Sequence, residues 1–235
     1  MLLTGTIGDF VIWYAIFLFS LTIHEAAHAL AALWGGDDTA YRGGQVSINP
    51  WPHIRREPLG TVLFPVITWF LNDWMMGWAS APFDPAWRRA YPRRAAAMAA
   101  AGPAANLLLA LLAFGVLKVL LGADVFTVPL EVDIERLVEP ARAFRESFWS
   151  APLAMGLSIA LSLNLLLFLF NLLPLPPLDG SSILAGLLPG SAGRQLESLW
   201  RNPALSLLGL FLAWRFFGRI YSPVFKGMLD LLYGF

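Results

Sequence analysis

Apolar positions fall in long runs along this chain, separated by short polar stretches. A helix that crosses a bilayer needs about 20 largely apolar residues. The first run that qualifies extends from about Phe10 to Trp34 and stops at Gly35-Gly36, with Asp37 and Asp38 behind. No cleavage-site pattern closes it, so it reads as a retained span rather than a signal peptide. The polar loop DDTAYRGGQVSINPWPHIRREP follows. Within it Gln45–Ile48 alternates polar and apolar beside a glycine turn, which predicts a short strand. A second apolar stretch, Leu59–Trp78, is interrupted by Pro65 and carries Asn72-Asp73 near its end, so it either crosses as a broken span or re-enters. Further runs cover about Ala95–Leu121, Pro152–Leu173 and Pro203–Phe217. The expected architecture is an all-α polytopic membrane protein. It has about four to six membrane segments and a small membrane-associated β element after the first span. Residues 1–235 form one integral-membrane domain, with a core over about 10–188 and a C-terminal span over about 203–221.

Composition sharpens this picture. Hydrophobic residues make up 57% of the chain, charged residues 14%, and mean hydropathy is +0.63, whereas an ordinary globular domain carries about 25% charged residues. Net charge is zero, so no global field points to nucleic acid. The absence of cysteine excludes disulfides, thiolate metal sites and a cysteine nucleophile. Charge placement orients the spans. Arg42, Arg55 and Arg56 lie in the loop at 35–59, and Arg88, Arg89, Arg93 and Arg94 in the loop at 79–94, while the loop at 122–151 is acidic. Arginine-rich short loops favour the cytoplasm. If both flanking loops are cytoplasmic, Leu59–Trp78 dips in and returns, which its proline and Asn-Asp pair allow where the backbone is sheltered by protein. The expectation is an outside N-terminus in a bacterial cytoplasmic membrane, with the lipid bilayer as the chain's surroundings. The tryptophans read as interfacial anchors and the arginines at 88–94 as an anchor for anionic lipid.

The stretch LTIHEAAHAL, residues 21–30, breaks the apolar pattern of the first span. Ionisable groups inside the membrane are expensive and mark functional sites. His24 and His28 are four apart, so a helix puts them on one face, one turn apart. Two imidazoles so placed can share one zinc ion. Glu25, beside the first, can reach a water on that ion without being a ligand, the logic of H-E-x-x-H hydrolysis. Catalytic zinc usually takes three protein ligands plus water. Asp179 in PLPPLDGSS is the carboxylate of the fourth apolar region; Pro174, Pro176 and Pro177 break the helix before it and Gly180 lets the chain turn. It fits either a third ligand or a helix N-cap, and the two roles are compatible. Asn164 and Asn171, two turns apart on one face, fit inter-helical hydrogen bonding as well as a groove for substrate.

Three motifs in order now stand out: HEAAH at 24–28, GPAAN at 102–106 and NLLPLPPLDG at 171–180. With them the chain resembles the site-2 protease family of intramembrane zinc metalloproteases, in its small PDZ-less branch. The resemblance covers about residues 20–188. It implies one Zn²⁺ per chain held by His24, His28 and Asp179, with Glu25 as general base. It places Asn106 near the active site and Asn171 near the substrate groove, as active-site support. It implies a β element over YRGGQVSIN, to whose edge an unwound transmembrane substrate can add. Close relatives tend to carry Asp-Pro soon after the loop histidine. Here Arg55, Arg56, Glu57 and Pro58 follow His53, which keeps the reading of a plain loop histidine. The expected function is hydrolysis of peptide bonds in transmembrane proteins, with the site toward the cytoplasm. The rivals are a non-catalytic zinc-bound scaffold, which has no use for Glu25, and a metal transporter, which needs ionisable residues along several spans.

Overall fold

The computed structural model describes residues 7–200 and 202–234. Four of its helices are long and apolar enough to cross a membrane: α1 (Ile7–Trp34), α6 (Pro92–Gly122), α7 (Ser150–Asn171) and α10 (Pro203–Tyr233). Short helices α2 (Thr39–Arg42), α3 (Pro50–Arg56), α4 (Phe64–Asn72) and α5 (Pro85–Ala90) lie between α1 and α6, and α8 (Asp179–Leu187) and α9 (Gly190–Trp200) between α7 and α10. The all-α polytopic architecture is as expected.

α6 is the central element, packed on α1, α7 and α8. Buried residues of α1 recur at the helical period: Trp13, Phe17, Ser20, His24, His28 and Ala32. Trp13, Phe17 and Leu21 meet Trp69, Met75, Ile159 and Leu163 in one core cluster. A second joins Ala110, Ala113 and Leu117 of α6 to Leu161 and Leu165 of α7. Small residues on α6 let its neighbours approach closely.

Polar contacts pin both ends of the bundle. On one side the Gly35 carbonyl, just past α1, accepts from Trp87 Nε1 at 2.9 Å and Arg94 Nη1 at 3.0 Å. Nearby, Asp37 accepts from the Thr39 amide and hydroxyl and from the Asp84 amide. Burial works against this carboxylate, but those three donors outweigh it and hold Asp37 below its ordinary pKa. On the opposite side Trp13 Nε1 donates to Glu135 at 2.8 Å. Lys118, late in α6, donates to the Leu231 and Leu232 carbonyls at the end of α10, so α6 and α10 run in the same direction.

Two expectations change, and the stretch left open takes a definite form. Residues 45–48 form no strand. The Asn49 amide donates to the Ser47 hydroxyl, His53 Nε2 donates to the Ser47 carbonyl at 3.0 Å, and Asn49 caps α3. These local bonds curl the segment and compete with any ladder. The two-stranded sheet lies instead between α6 and α7, pairing β1 (Phe126–Thr127) with β2 (Glu139–Pro140) antiparallel. The last span is longer than expected, reaching Tyr233. Leu59–Trp78, left open by the sequence, splits into a π-helical turn at Leu59–Leu63, α4 and a non-helical segment at 74–84. Pro65 offers no N–H to the preceding turn, which widens there. Fourteen residues of helix span about 21 Å, short of a hydrocarbon core of about 30 Å.

The chain lacks cysteine, so single-cysteine variants test this arrangement cleanly. Tyr41→Cys and Arg89→Cys, which flank the short helical segment, should react with an impermeant thiol reagent from the same membrane side. Leu130→Cys should react only from the other. Labelling of Tyr41→Cys and Arg89→Cys from opposite sides would mean that α4 crosses.

Candidate metal centre

α1 brings His24, Glu25 and His28 into the bundle, all buried. Their ligand-capable atoms lie within 4.8 Å of one another, and the group could hold a metal ion. Asp179 arrives from the first residue of α8. After α7 ends, the prolines keep the chain out of helix, and the Pro176-Pro177 peptide is cis. Gly180 then starts α8 hard against α7: a Cβ there would overlap the Leu172 and Leu173 carbonyl oxygens. The N-cap position of α8 falls on Leu178 rather than on Asp179, and no side chain caps the helix there. Its Oδ2 lies 3.2 Å from His24 Nε2 and 3.3 Å from His28 Nε2, and the two Nε2 atoms are 3.0 Å apart.

The other ring nitrogens are committed. His28 Nδ1 lies 2.7 Å from the Met98 carbonyl, an acceptor only, so Nδ1 carries the proton and Nε2 a lone pair. His24 Nδ1 donates to Asn106 Oδ1 at 2.5 Å. With both rings neutral, two imidazole lone pairs and a carboxylate oxygen therefore converge, and Asp179 Oδ2 is buried without a hydrogen-bond partner. Such a set is stable around a cation. Tetrahedral zinc with bonds near 2.0–2.1 Å sets its ligand atoms about 3.3 Å apart, close to the three separations found.

The motif on α6 shapes the space. A Cβ on Gly102 would lie 2.5 Å from His24 Nε2 and closer still to His28 Nε2, filling the point where those atoms converge. Pro103, inside α6, cannot donate to the Ala99 carbonyl and opens the helix there, beside the carbonyl that His28 uses. Asn106 Nδ2 continues to Asn164 Oδ1 at 2.8 Å. Asn171 does not join this group; its amide donates to the Leu167 carbonyl of its own helix. His53 is buried in α3 and bonded within its own loop. Sequence reasoning overlooked Ser20 and the Met98 carbonyl. Ser20 stands four before His24, on the histidine face, and that spacing was its visible signal.

Gly102→Ala should leave the helices intact and abolish metal binding, read by metal analysis of purified protein beside its circular dichroism. Full metal content in Gly102→Ala would place the metal elsewhere.

The profile of peptidase family M50 matches residues 12–214. A Bacillus subtilis (strain 168) protein named as a candidate zinc metalloprotease, YwhC, is 40% identical over 173 residues, 72% of this chain and 66% of that protein. Another, from Mycolicibacterium smegmatis (strain ATCC 700084 / mc(2)155) and named as the candidate zinc metalloprotease Rip2, is 29% identical over 174 residues, 74% of this chain and 56% of that protein. The chain thus spans just under two thirds of one relative and a little over half of the other. No solved structure matches it. With a profile match over most of its length, and with the three motifs at the convergence of α1, α6 and α8, the chain belongs to peptidase family M50, the site-2 proteases.

Proposed function

We propose that the chain is a zinc metalloprotease that hydrolyses peptide bonds of transmembrane proteins, with His24, His28 and Asp179 as zinc ligands and Glu25 as general base. The observation that carries this reading is the convergence of two imidazole Nε2 atoms and a carboxylate oxygen within 3.3 Å of one another, with Glu25 alongside. When bound there, zinc supplies Lewis acidity to a water and to the scissile carbonyl. Glu25 takes the proton from the attacking water and returns it to the leaving amine, a general acid–base role worth about 10²–10⁴-fold. His24 and His28 keep their Nδ1 protons throughout, because those protons are engaged by Asn106 and Met98. The site sits near the end of α1 flanked by the arginine-rich loops, which favours a cytoplasmic-facing centre. A cavity of about 430 Å³ lined by Arg88, Ser181, Ser182 and Glu197 lies beside the start of α8.

A transmembrane helix hides its carbonyls in i→i−4 bonds, so substrate must be held unwound. The segment at 74–84 supports that role. Met76 N donates to the Thr68 hydroxyl, Trp78 N to the Gly60 carbonyl, and the Ser80 carbonyl accepts from Gln45. The alternate residues Gly77, Ala79 and Ala81 make no main-chain hydrogen bond among the described residues. Alternation of this kind leaves one edge open, and an extended peptide can pair with such an edge.

The test is cleavage of a single-span membrane protein by purified enzyme in detergent, with zinc measured in every variant. Glu25→Gln should keep zinc and lose at least about 10²-fold in rate, and Asp179→Ala should lose zinc. Equal cleavage by Glu25→Gln would refute the base, and full zinc in Asp179→Ala would refute the third ligand.

A further inference from the structure

Resting on the zinc reading above, we infer that Asn164 is a positioning residue for the metal centre. Through Asn106 it locks His24 in the tautomer protonated at Nδ1, which leaves the Nε2 lone pair free for the metal. The relay starts at a main-chain carbonyl. One terminal atom of the Asn164 amide lies 2.8 Å from the Ala160 carbonyl oxygen and 2.9 Å from the Ser20 hydroxyl. A carbonyl oxygen only accepts, so that atom is the nitrogen and the oxygen of Asn164 lies at the other end. Asn164 Oδ1 faces Asn106 at 2.8 Å, so Asn106 must present its nitrogen there. Asn106 Oδ1 is thereby turned toward His24 Nδ1, and an oxygen acceptor at that distance requires the proton on Nδ1. Each step leaves one arrangement because every group is buried: Asn106 is 0% exposed, Asn164 1% and Ser20 2%, so water offers no alternative partner.

The two histidines are therefore set by the same kind of anchor at different ranges. His28 reads the Met98 carbonyl of α6 directly. His24 reads the Ala160 carbonyl of α7 through two amides. The relay matters because the competing tautomer is attractive without metal: a proton on His24 Nε2 would point at Asp179 Oδ2, 3.2 Å away, and occupy the metal's place. Without Asn164, Asn106 is free to turn its amide over and donate to His24 Nδ1, which stabilises that competing form. Outer partners of ligating histidines affect metal affinity by about 10–100-fold. Ser20 has a smaller part, since the Ala160 carbonyl fixes the Asn164 amide without it.

The experiment uses full-length protein in detergent, labelled with ¹⁵N-histidine. Ring-nitrogen shifts are recorded on the metal-free form, and zinc affinity is measured by chelator competition. Wild type should show both active-site histidines as Nδ1–H. Asn164→Leu should move His24 toward Nε2–H, leave His28 unchanged as an internal control, and weaken zinc binding about 10–100-fold. Asn164→Asp, which still accepts from Asn106, should restore the Nδ1–H signal, and Ser20→Ala should behave as wild type. A role in helix packing alone would lower stability without moving the tautomer. Unchanged His24 shifts and unchanged zinc affinity in Asn164→Leu would overturn the relay, as would an Nε2–H signal in Asn164→Asp. A wild type with the Nδ1–H tautomer and no zinc affinity would instead overturn the zinc reading and leave the relay standing.

Discussion

Everything in this bundle is arranged around one electrostatic constraint. His24 Nε2, His28 Nε2 and Asp179 Oδ2 meet within 3.3 Å, each an acceptor when the two rings are neutral. In a buried setting, lone pairs facing one another without a proton or cation between them are costly. A protein tolerates that only where something positive compensates. The cost also explains why so much neighbouring structure is spent on orientation. Each ring is held through its far nitrogen, and Asp179 is mounted on a helix start that glycine alone can bring so close to α7.

α6 supplies most of that scaffolding from little more than two turns. Met98 accepts from His28, Gly102 leaves room at the nitrogens, Pro103 opens the helix, and Asn106 accepts from His24. A motif that reads in sequence as a packing device is thus one face of the centre. The contacts at Gly35 hold α1 and the start of α6 in register, which keeps Met98 and Gly102 level with the histidines.

The histidine-bearing face of α1 was legible as a candidate site because ionisable residues at helical spacing inside an apolar run cost too much to stand there without a function. Asp179 was legible because prolines and a glycine isolate it. The β element was not: alternation at Gln45–Ile48 carries no information about Ser47 and Asn49 bonding locally, and a strand needs a partner that spacing cannot supply. The full length of α10 was hidden because Arg215, Arg219 and Lys226 end a hydropathy run without ending a helix; their long side chains can reach past the apolar surface. Asn164 was visible as a polar residue on α7, but its link to His24 passes through Asn106 of α6 and exists only once three helices are packed.

The most direct measurement is X-ray absorption at the zinc edge of the purified, zinc-loaded protein. The expected result is a four-coordinate shell of nitrogen and oxygen at about 2.0–2.1 Å with the outer-shell scattering of two imidazoles, and the loss of that shell when His24 and His28 are both replaced by alanine. A zinc shell without imidazole scattering, or one unchanged in the double variant, would contradict the assignment.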